Sequence, residues 1–356
     1  MPLLRLPGLI DVHVHLREPG APHKEDFESG TKAALAGGIT TVLAMPNTHP
    51  PIIDDAALTL AEQAAQARAC CDYGIYLGAS SENITTAPTL APRTCGMKFY
   101  LDATFGSLLI KDLTTIREHF ARFPKDRPIV CHAEGRAVAV VILCAQLENR
   151  SVHIAHVSRQ EEIELIRDAK QRGLRVTCEV APHHLFLTEL DAARIGAGRS
   201  EVRPRLNTPA DQAALWENFA YIDCIATDHA PHLLSEKDSD HPPPGFPGLE
   251  TALPLLLTAI HQNRLSLETV IAWMYHNPKR IFNLPDQPDT FIEIDTDADW
   301  QPSFENTVSR ARWTPFATWS LRGRVEAVTL RGREVYRGGI FTTNPGSGKN
   351  VAPIAQ

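Results

Sequence analysis

The sequence predicts an α/β protein, a (β/α)8 TIM barrel with a small β-appendage formed mainly by the C-terminal segment. Three observations lead there. Short β-branched or apolar runs alternate with longer, helically spaced segments up to about residue 265, the pattern of repeated βα units around a parallel sheet. Eight such runs occur, the number that closes a barrel. The competing fold, an open doubly wound sheet, normally carries a glycine-rich phosphate loop after its first strand, and none is present here.

The runs are Leu9 to His15, Ile39 to Met45, Tyr73 to Leu77, Met97 to Leu101, Ile129 to His132, Val152 to His156, Arg175 to Val180 and Ile222 to Thr227. Between them lie segments such as Gln160 to Gln171, where Ile163, Leu165, Ile166 and Ala169 form one apolar stripe. Residues 239–248 are loop by composition and follow the eighth run, where barrel enzymes build substrate contacts. Beyond residue 285 the character changes to alternating segments, Val325 to Leu330 and Arg333 to Tyr336, around an Arg331-Gly332 turn. The expected organisation is a barrel over 1–285, an appendage packed on it over 286–345, and a loose tail over 346–356.

A chain of 356 residues with 43% hydrophobic content can bury a large core. The formal charge of −7 comes from interleaved acids and bases, so there is no basic stripe to follow a phosphate backbone, and nucleic acid is not an expected partner. The seven cysteines are odd in number, scattered, and mostly inside apolar runs; they read as reduced thiols and a cytoplasmic location. No apolar run approaches the roughly 20 residues of a membrane span, so no membrane partner is expected. The first predicted strand begins almost at once, as in a domain cut from a longer polypeptide.

The strongest local signal is Asp11-Val12-His13-Val14-His15-Leu16-Arg17-Glu18. Alternation along a strand puts His13, His15 and Arg17 on one face, with two imidazoles placed to bind a metal ion and a guanidinium placed to hold an anion. A His-x-His pair standing alone fits a hydrogen-bonded core pair equally well. Other strand ends shift the balance, because His132, His153 and His156, and Asp228 with His229 and His232, bring metal-ligand side chains to the same rim. Lys98 sits inside an otherwise apolar strand. On position alone, an ammonium there is best read as snorkelling or paired with Asp102 or Asp228. The sharper alternative is a desolvated, neutral amine that takes up carbon dioxide to form a metal-bridging carbamate.

In their order and placement, His13-Val14-His15, Lys98, His132, His156 and Asp228 resemble the binuclear zinc site of the amidohydrolase superfamily. The flanking segments 15–20, 45–48, 179–184, 202–204 and 228–232 are similar to dihydroorotases, and the whole chain, including 242–251, is most similar to the dihydroorotase domain of animal multifunctional pyrimidine-synthesis proteins. The resemblance implies reversible cyclisation of N-carbamoyl-L-aspartate to L-dihydroorotate by two Zn2+ ions with a bridging hydroxide. It also implies that His13 and His15 bind one zinc, His132 and His156 the other, and that N6-carboxylysine at Lys98 bridges them. Asp228 is then both a ligand of the first zinc and the proton shuttle. Arg17, Asn47, Arg203 and His232, with backbone from Pro244 and Gly245, are implied to hold the substrate, and Thr104 and Phe105 to form a lid loop. A homodimer, and fusion to or association with carbamoyl-phosphate synthetase and aspartate transcarbamoylase, follow from the same resemblance. Some relatives hold a third zinc with a cysteine just before the strand-six histidine; here that position is Ala155, so no third zinc is expected and Glu179 reads as an orienting or structural carboxylate.

Two rival functions share much of this pattern. An allantoinase or hydantoinase would keep the metals but bind a neutral ring, for which Arg17 and Arg203 are not needed. A scaffold domain that has lost turnover usually loses metal ligands, whereas the ligand set here is complete.

Overall fold

In the computed structural model, residues 3–303, 305 and 307–352 are described. Thirteen strands form two sheets. In chain order they are β1 (Leu4–Pro7), β2 (Leu9–Val14), β3 (Ile39–Ala44), β4 (Asp72–Gly78), β5 (Gly96–Tyr100), β6 (Ile129–His132), β7 (Val152–Ile154), β8 (Val176–Val180), β9 (Cys224–Ile225), β10 (Phe291–Trp300), β11 (Leu321–Leu330), β12 (Arg333–Arg337) and β13 (Ile340–Phe341).

Strands β2 to β9 form a parallel eight-stranded sheet in strict sequence order, with helices in the crossovers, as the alternating runs predict. The sheet is closed between β9 and β2 by a different device. An isolated parallel bridge joins Val14 to His229, and His15 N–H donates to the His229 carbonyl at 2.8 Å. Below it the fully buried Asp11 carboxylate accepts from the backbone N–H of His13 and Thr227, both at 3.1 Å, and from the Thr227 hydroxyl at 2.5 Å. One side chain thus ties β2 to the segment that follows β9. Burial raises the Asp11 pKa to about 7 against the opposing effect of these donors.

Alternate side chains of the barrel strands, including Ile10, Val12, Leu43, Tyr76 and Val130, form a cluster with Phe282 that is separate from the main core between sheet and helices. Phe282 reaches both Tyr76 and His153 with edge-on ring contacts. The resulting floor is apolar and rigid, so the polar residues at the carboxyl ends of the strands stand on packed side chains.

The second sheet is antiparallel, in the order β1-β10-β11-β12-β13. The predicted hairpin is present, with Arg331 and Gly332 both in the left-handed region, φ 51° and 73°, as a two-residue turn between twisted strands requires. Two features depart from expectation. Leu4–Pro7 is a strand of this sheet, paired with β10 in the register Leu4 to Ile294, although so short a segment ahead of Pro7-Gly8 has no strand signal of its own. Residues 346–352 are not a loose tail: Tyr73 N–H donates to the Lys349 carbonyl, Val351 N–H donates to the Tyr73 carbonyl, and Val351 is buried. The last residues of the sequence, 353–356, lie outside the described residues.

Replacing Asp11 by Ala strands the Thr227 N–H and hydroxyl in the core. The expected loss is about 2–3 kcal/mol of folding stability, read from the urea midpoint, with Asp11→Asn milder because it keeps one acceptor oxygen.

Candidate active site

The carboxyl ends of β2, β5, β6, β7 and β9 converge, and each brings a side chain named from the sequence. His13 ends near the centre, its ring 5.4 Å from that of His15 and 5.1 Å from that of His156, while His132 and His156 stand edge to face at 4.5 Å. Lys98 Nζ is 3.5 Å from His13 Nε2. Asp228 Oδ1 is 3.2 Å from His13 Nε2 and 3.1 Å from His15 Nε2, and one ligand atom from each of these three residues falls within 4.8 Å of the others. All are buried.

Hydrogen bonds on the far side of each ring decide what this cluster can hold. His13 Nδ1–H donates to Glu179 Oε1, and His15 Nδ1–H donates to Asn47 Oδ1 at 2.7 Å. Asn47 is itself oriented, because its amide donates to the Phe105 carbonyl at 2.9 Å. With their protons on Nδ1, both histidines turn a bare Nε2 lone pair toward the Asp228 oxygen. Three lone pairs facing one another at about hydrogen-bond distance repel unless a cation lies among them. His132 Nε2 and His156 Nδ1 are buried with no hydrogen-bond partner, a second set of free donor atoms beside the first.

The protonation states suit metal ligation. Burial, and next the nearby Lys98, lower the His13 pKa to about 4; burial also pushes His15 and His156 well below the ordinary imidazole range. Burial works against the Glu179 carboxylate, but His13 together with His153, whose Nε2 lies 3.1 Å from Oε2, holds it ionised. Glu179 thus orients His13, and Ala155 packs in the apolar cluster beneath.

Lys98 takes neither ordinary course for a strand lysine. It is wholly buried and does not snorkel, and no carboxylate among the described residues forms an ion pair with it; Asp102 instead accepts from the Glu134 N–H at 2.7 Å. Burial, only partly offset by Glu179 and Asp228, brings its pKa down to about 8, so a neutral amine is accessible near physiological pH. His13, His15 and Asp228 fit one divalent cation, with the free nitrogens of His132 and His156 and the Lys98 amine close by.

Next to the lone-pair cluster lies a patch of hydrogen-bond donors. Arg17 is beyond the end of β2 in a left-handed conformation, φ 58°, so a turn rather than strand alternation aims it. Its Nε–H donates to the Pro231 carbonyl at 3.1 Å, and its Nη2 lies 2.9 Å from His232 Nε2. His232 Nε2 is 3.1 Å from the Pro244 carbonyl. Gly245 has φ 146°, and a Cβ there would fall 2.4 Å from the Ala230 carbonyl, so only glycine brings this turn against the rim. The Phe105 ring lies 5.3 Å from both the Arg17 guanidinium and the His232 ring, leaving the loop that contains Thr104 over the site. Arg203 is set to one side: it donates to Glu201 at 2.9 Å and, with Asp102, Glu134 and Arg159, lines a cavity of about 770 Å³. Glu134 connects this cavity to the metal-ligand cluster, 3.5 Å from His132 Nε2.

Asn47 touches His15 through its side-chain oxygen and the Phe105 carbonyl through its amide. Sequence reasoning gave no role to Asp11, Lys24 or Lys237. Lys237 is buried in the short helix Leu234–Lys237 and donates to the Glu201 and Pro243 carbonyls at 2.7 and 2.8 Å. A lysine in a polar stretch gives no hint that it is buried, so no sequence signal would have found it.

A family model described as Amidohydrolase family matches residues 4–126. The chain is 52% identical over 349 residues to the multifunctional protein CAD of Squalus acanthias, covering 98% of this chain but only 16% of that protein. It is 35% identical over 351 residues to the dihydroorotase of Pyrococcus furiosus, covering 93% of this chain and 81% of that protein. Among solved structures, the L-hydantoinase of Arthrobacter aurescens superposes with a TM-score of 0.93 at 25% identity, over 98% of this chain and 89% of that one. The inactive dihydroorotase-like domain of the Chaetomium thermophilum CAD-like multifunctional protein superposes with a TM-score of 0.85 at 31% identity, over 98% of this chain and 99% of that domain. With a dihydroorotase 35% identical over 93% of this chain and 81% of that protein, and a barrel that gathers histidines, an aspartate and a lysine at its mouth, the chain belongs to the dihydroorotases.

Proposed function

We propose that this chain catalyses the reversible cyclisation of N-carbamoyl-L-aspartate to L-dihydroorotate in pyrimidine synthesis, at a centre of two zinc ions bridged by carbamylated Lys98. The observation that carries the reading is the meeting of unprotonated imidazole nitrogens, Asp228 and Lys98 at one buried point, beside the Arg17 guanidinium and the His232 imidazole.

His13 and His15 would hold one ion with Asp228, and His132 and His156 the other. The Lys98 carbamate would form by attack of the neutral Nζ on carbon dioxide: the N–C bond replaces one C=O π bond, the N–H proton passes to solvent water, and the anion left on Lys98 is suited to hold cations. Ions so held supply a Lewis acid for the amide carbonyl and acidify water toward neutral pH. Asp228 takes a proton and delivers it to the leaving ring nitrogen during hydrolysis; in synthesis it enters protonated and acts as the acid. Synthesis is therefore favoured at lower pH and hydrolysis at higher pH. Arg17 and His232 bind the substrate carboxylate, the Pro244-Gly245 turn supplies backbone contacts, and Arg203 adds positive charge from the neighbouring cavity. Closure of the Thr104-Phe105 loop excludes water and strengthens each of these contacts.

Family membership alone does not establish turnover, since one solved relative is described as inactive. The complete set of donors supports catalysis over a scaffold role, and the donor patch supports an anionic substrate over the neutral ring of a hydantoin. The same reading extends to a cytoplasmic homodimer joined to carbamoyl-phosphate synthetase and aspartate transcarbamoylase, and the match to 16% of a protein described as multifunctional supports such a fusion. Among the described residues, no helix is long and apolar enough to cross a membrane.

Assays of carbamoyl-aspartate, dihydroorotate, allantoin and hydantoin in parallel, with metal analysis, test the function. Turnover of the first two with about two zinc ions per chain is expected, and turnover of allantoin alone refutes the substrate. Asp228→Asn is expected to lower kcat by about 10²–10⁴-fold. Chelation should abolish activity, with recovery on adding zinc and bicarbonate in the unaltered chain but not in Lys98→Ala.

A further inference from the structure

Lys24 belongs to none of the segments that mark the family. It lies in the charged run His23-Lys24-Glu25-Asp26 ahead of the helix Phe27–Ala36, where a lysine would ordinarily be solvated. It is instead buried, 9% exposed, with Nζ 2.8 Å from Glu236 Oε1 and 3.2 Å from His232 Nδ1.

An ammonium can only donate, so its contact with Nδ1 is favourable when that nitrogen is the bare one of a neutral imidazole. The proton is then on Nε2, which donates to the Pro244 carbonyl at 3.1 Å. Burial first, and then Arg17, Lys24 and Lys237, hold the His232 imidazole neutral; Glu236, 3.9 Å from Nδ1, is the facing carboxylate. The backbone that carries the ring is held as well, because Trp313 Nε1–H donates to the His232 carbonyl at 2.9 Å. Arg17 Nη2, also a donor, stands 2.9 Å from the same Nε2, so Lys24 and Arg17 compete for the ring's one lone pair, and the Pro244 carbonyl beside Nε2 favours the proton there. Nη2–H and Nε2–H then repel each other until an oxygen anion lies between them and accepts from both.

We propose that Lys24 is a positioning residue that fixes the Nε2–H tautomer of His232, so that Arg17 and His232 offer the substrate carboxylate a paired donor. The proposal rests on the dihydroorotase reading of this site. Without Lys24, the imidazole can place its proton on Nδ1, toward Glu236, and accept from Arg17 through Nε2. That internal bond removes both donors from the substrate at once.

The test compares zinc-loaded wild type, Lys24→Met and Lys24→Arg in dihydroorotate hydrolysis, with melting temperature measured on each. Lys24→Met should raise KM about tenfold while kcat stays within about threefold, and Lys24→Arg, which keeps a donor, should restore KM to within about threefold of wild type. A KM ratio near one, a Lys24→Arg variant as impaired in KM as Lys24→Met, or parallel losses of kcat, KM and melting temperature in both variants would overturn the proposal. If Lys24→Met does not fold, Lys24→Gln is judged by the same ratio. Absence of dihydroorotate turnover in the zinc-loaded wild type sinks the functional reading itself, and this proposal with it.

Discussion

A buried crowd of bare nitrogen and oxygen lone pairs at the mouth of the barrel is the constraint on which the rest of the molecule depends. His13, His15 and Asp228 are pressed together without a hydrogen to share, and His132, His156 and Lys98 stand beside them in the same dry space. Such an arrangement is unfavourable in an isolated chain and becomes favourable around cations, so the surrounding structure must hold it in place. Glu179 and Asn47 do so through hydrogen bonds to the outer nitrogens, and Phe282 and its neighbours do so by packing beneath. Closure of the barrel by Asp11 serves the same end, because it fixes the strand carrying the first two histidines against the segment carrying Asp228.

The two halves of the site are electrical opposites. On one side, acceptors converge and ask for cations; on the other, Arg17 and His232 are donors that converge and ask for an anion. A substrate with a carboxylate at one end and an amide carbonyl at the other spans them naturally. Strain is concentrated at the same place: Arg17, His156 and Asp228 all have left-handed backbone, with φ of 58°, 35° and 47°. Each follows the end of its strand, where the chain must turn sharply to bring a side chain inward rather than continue the alternation. The rigid floor and the short closing bonds make those conformations tenable.

The substrate side also shows how far a catalytic rim is supported from behind. Lys237 ties the Glu201 and Pro243 carbonyls, the two loops that present Arg203 and Pro244, while Trp313 from the far side holds the His232 backbone. These contacts join segments widely separated in the chain, so the rim is assembled by the fold as a whole and not by any one loop.

Read alone, the sequence determined the eight-strand order, the terminal hairpin and the strand ends that bring His13, His132, His156 and Asp228 together, because parallel strands buried on both faces appear as continuous apolar runs and histidines and acids at their ends interrupt them. It also carried the family, through the segments around His13, Asn47, His183 and Asp228. Only the tertiary structure decided which histidine nitrogen is bare, since that depends on Glu179 and Asn47 reaching across from other strands. The same holds for Lys98, which local position favoured as a paired or snorkelling cation and which burial leaves without a carboxylate partner. Leu4–Pro7, residues 346–352 and Lys24 were illegible for one shared reason: each owes its conformation to a partner far away in the chain, β10, Tyr73 or His232, and short local patterns contain no record of a distant contact.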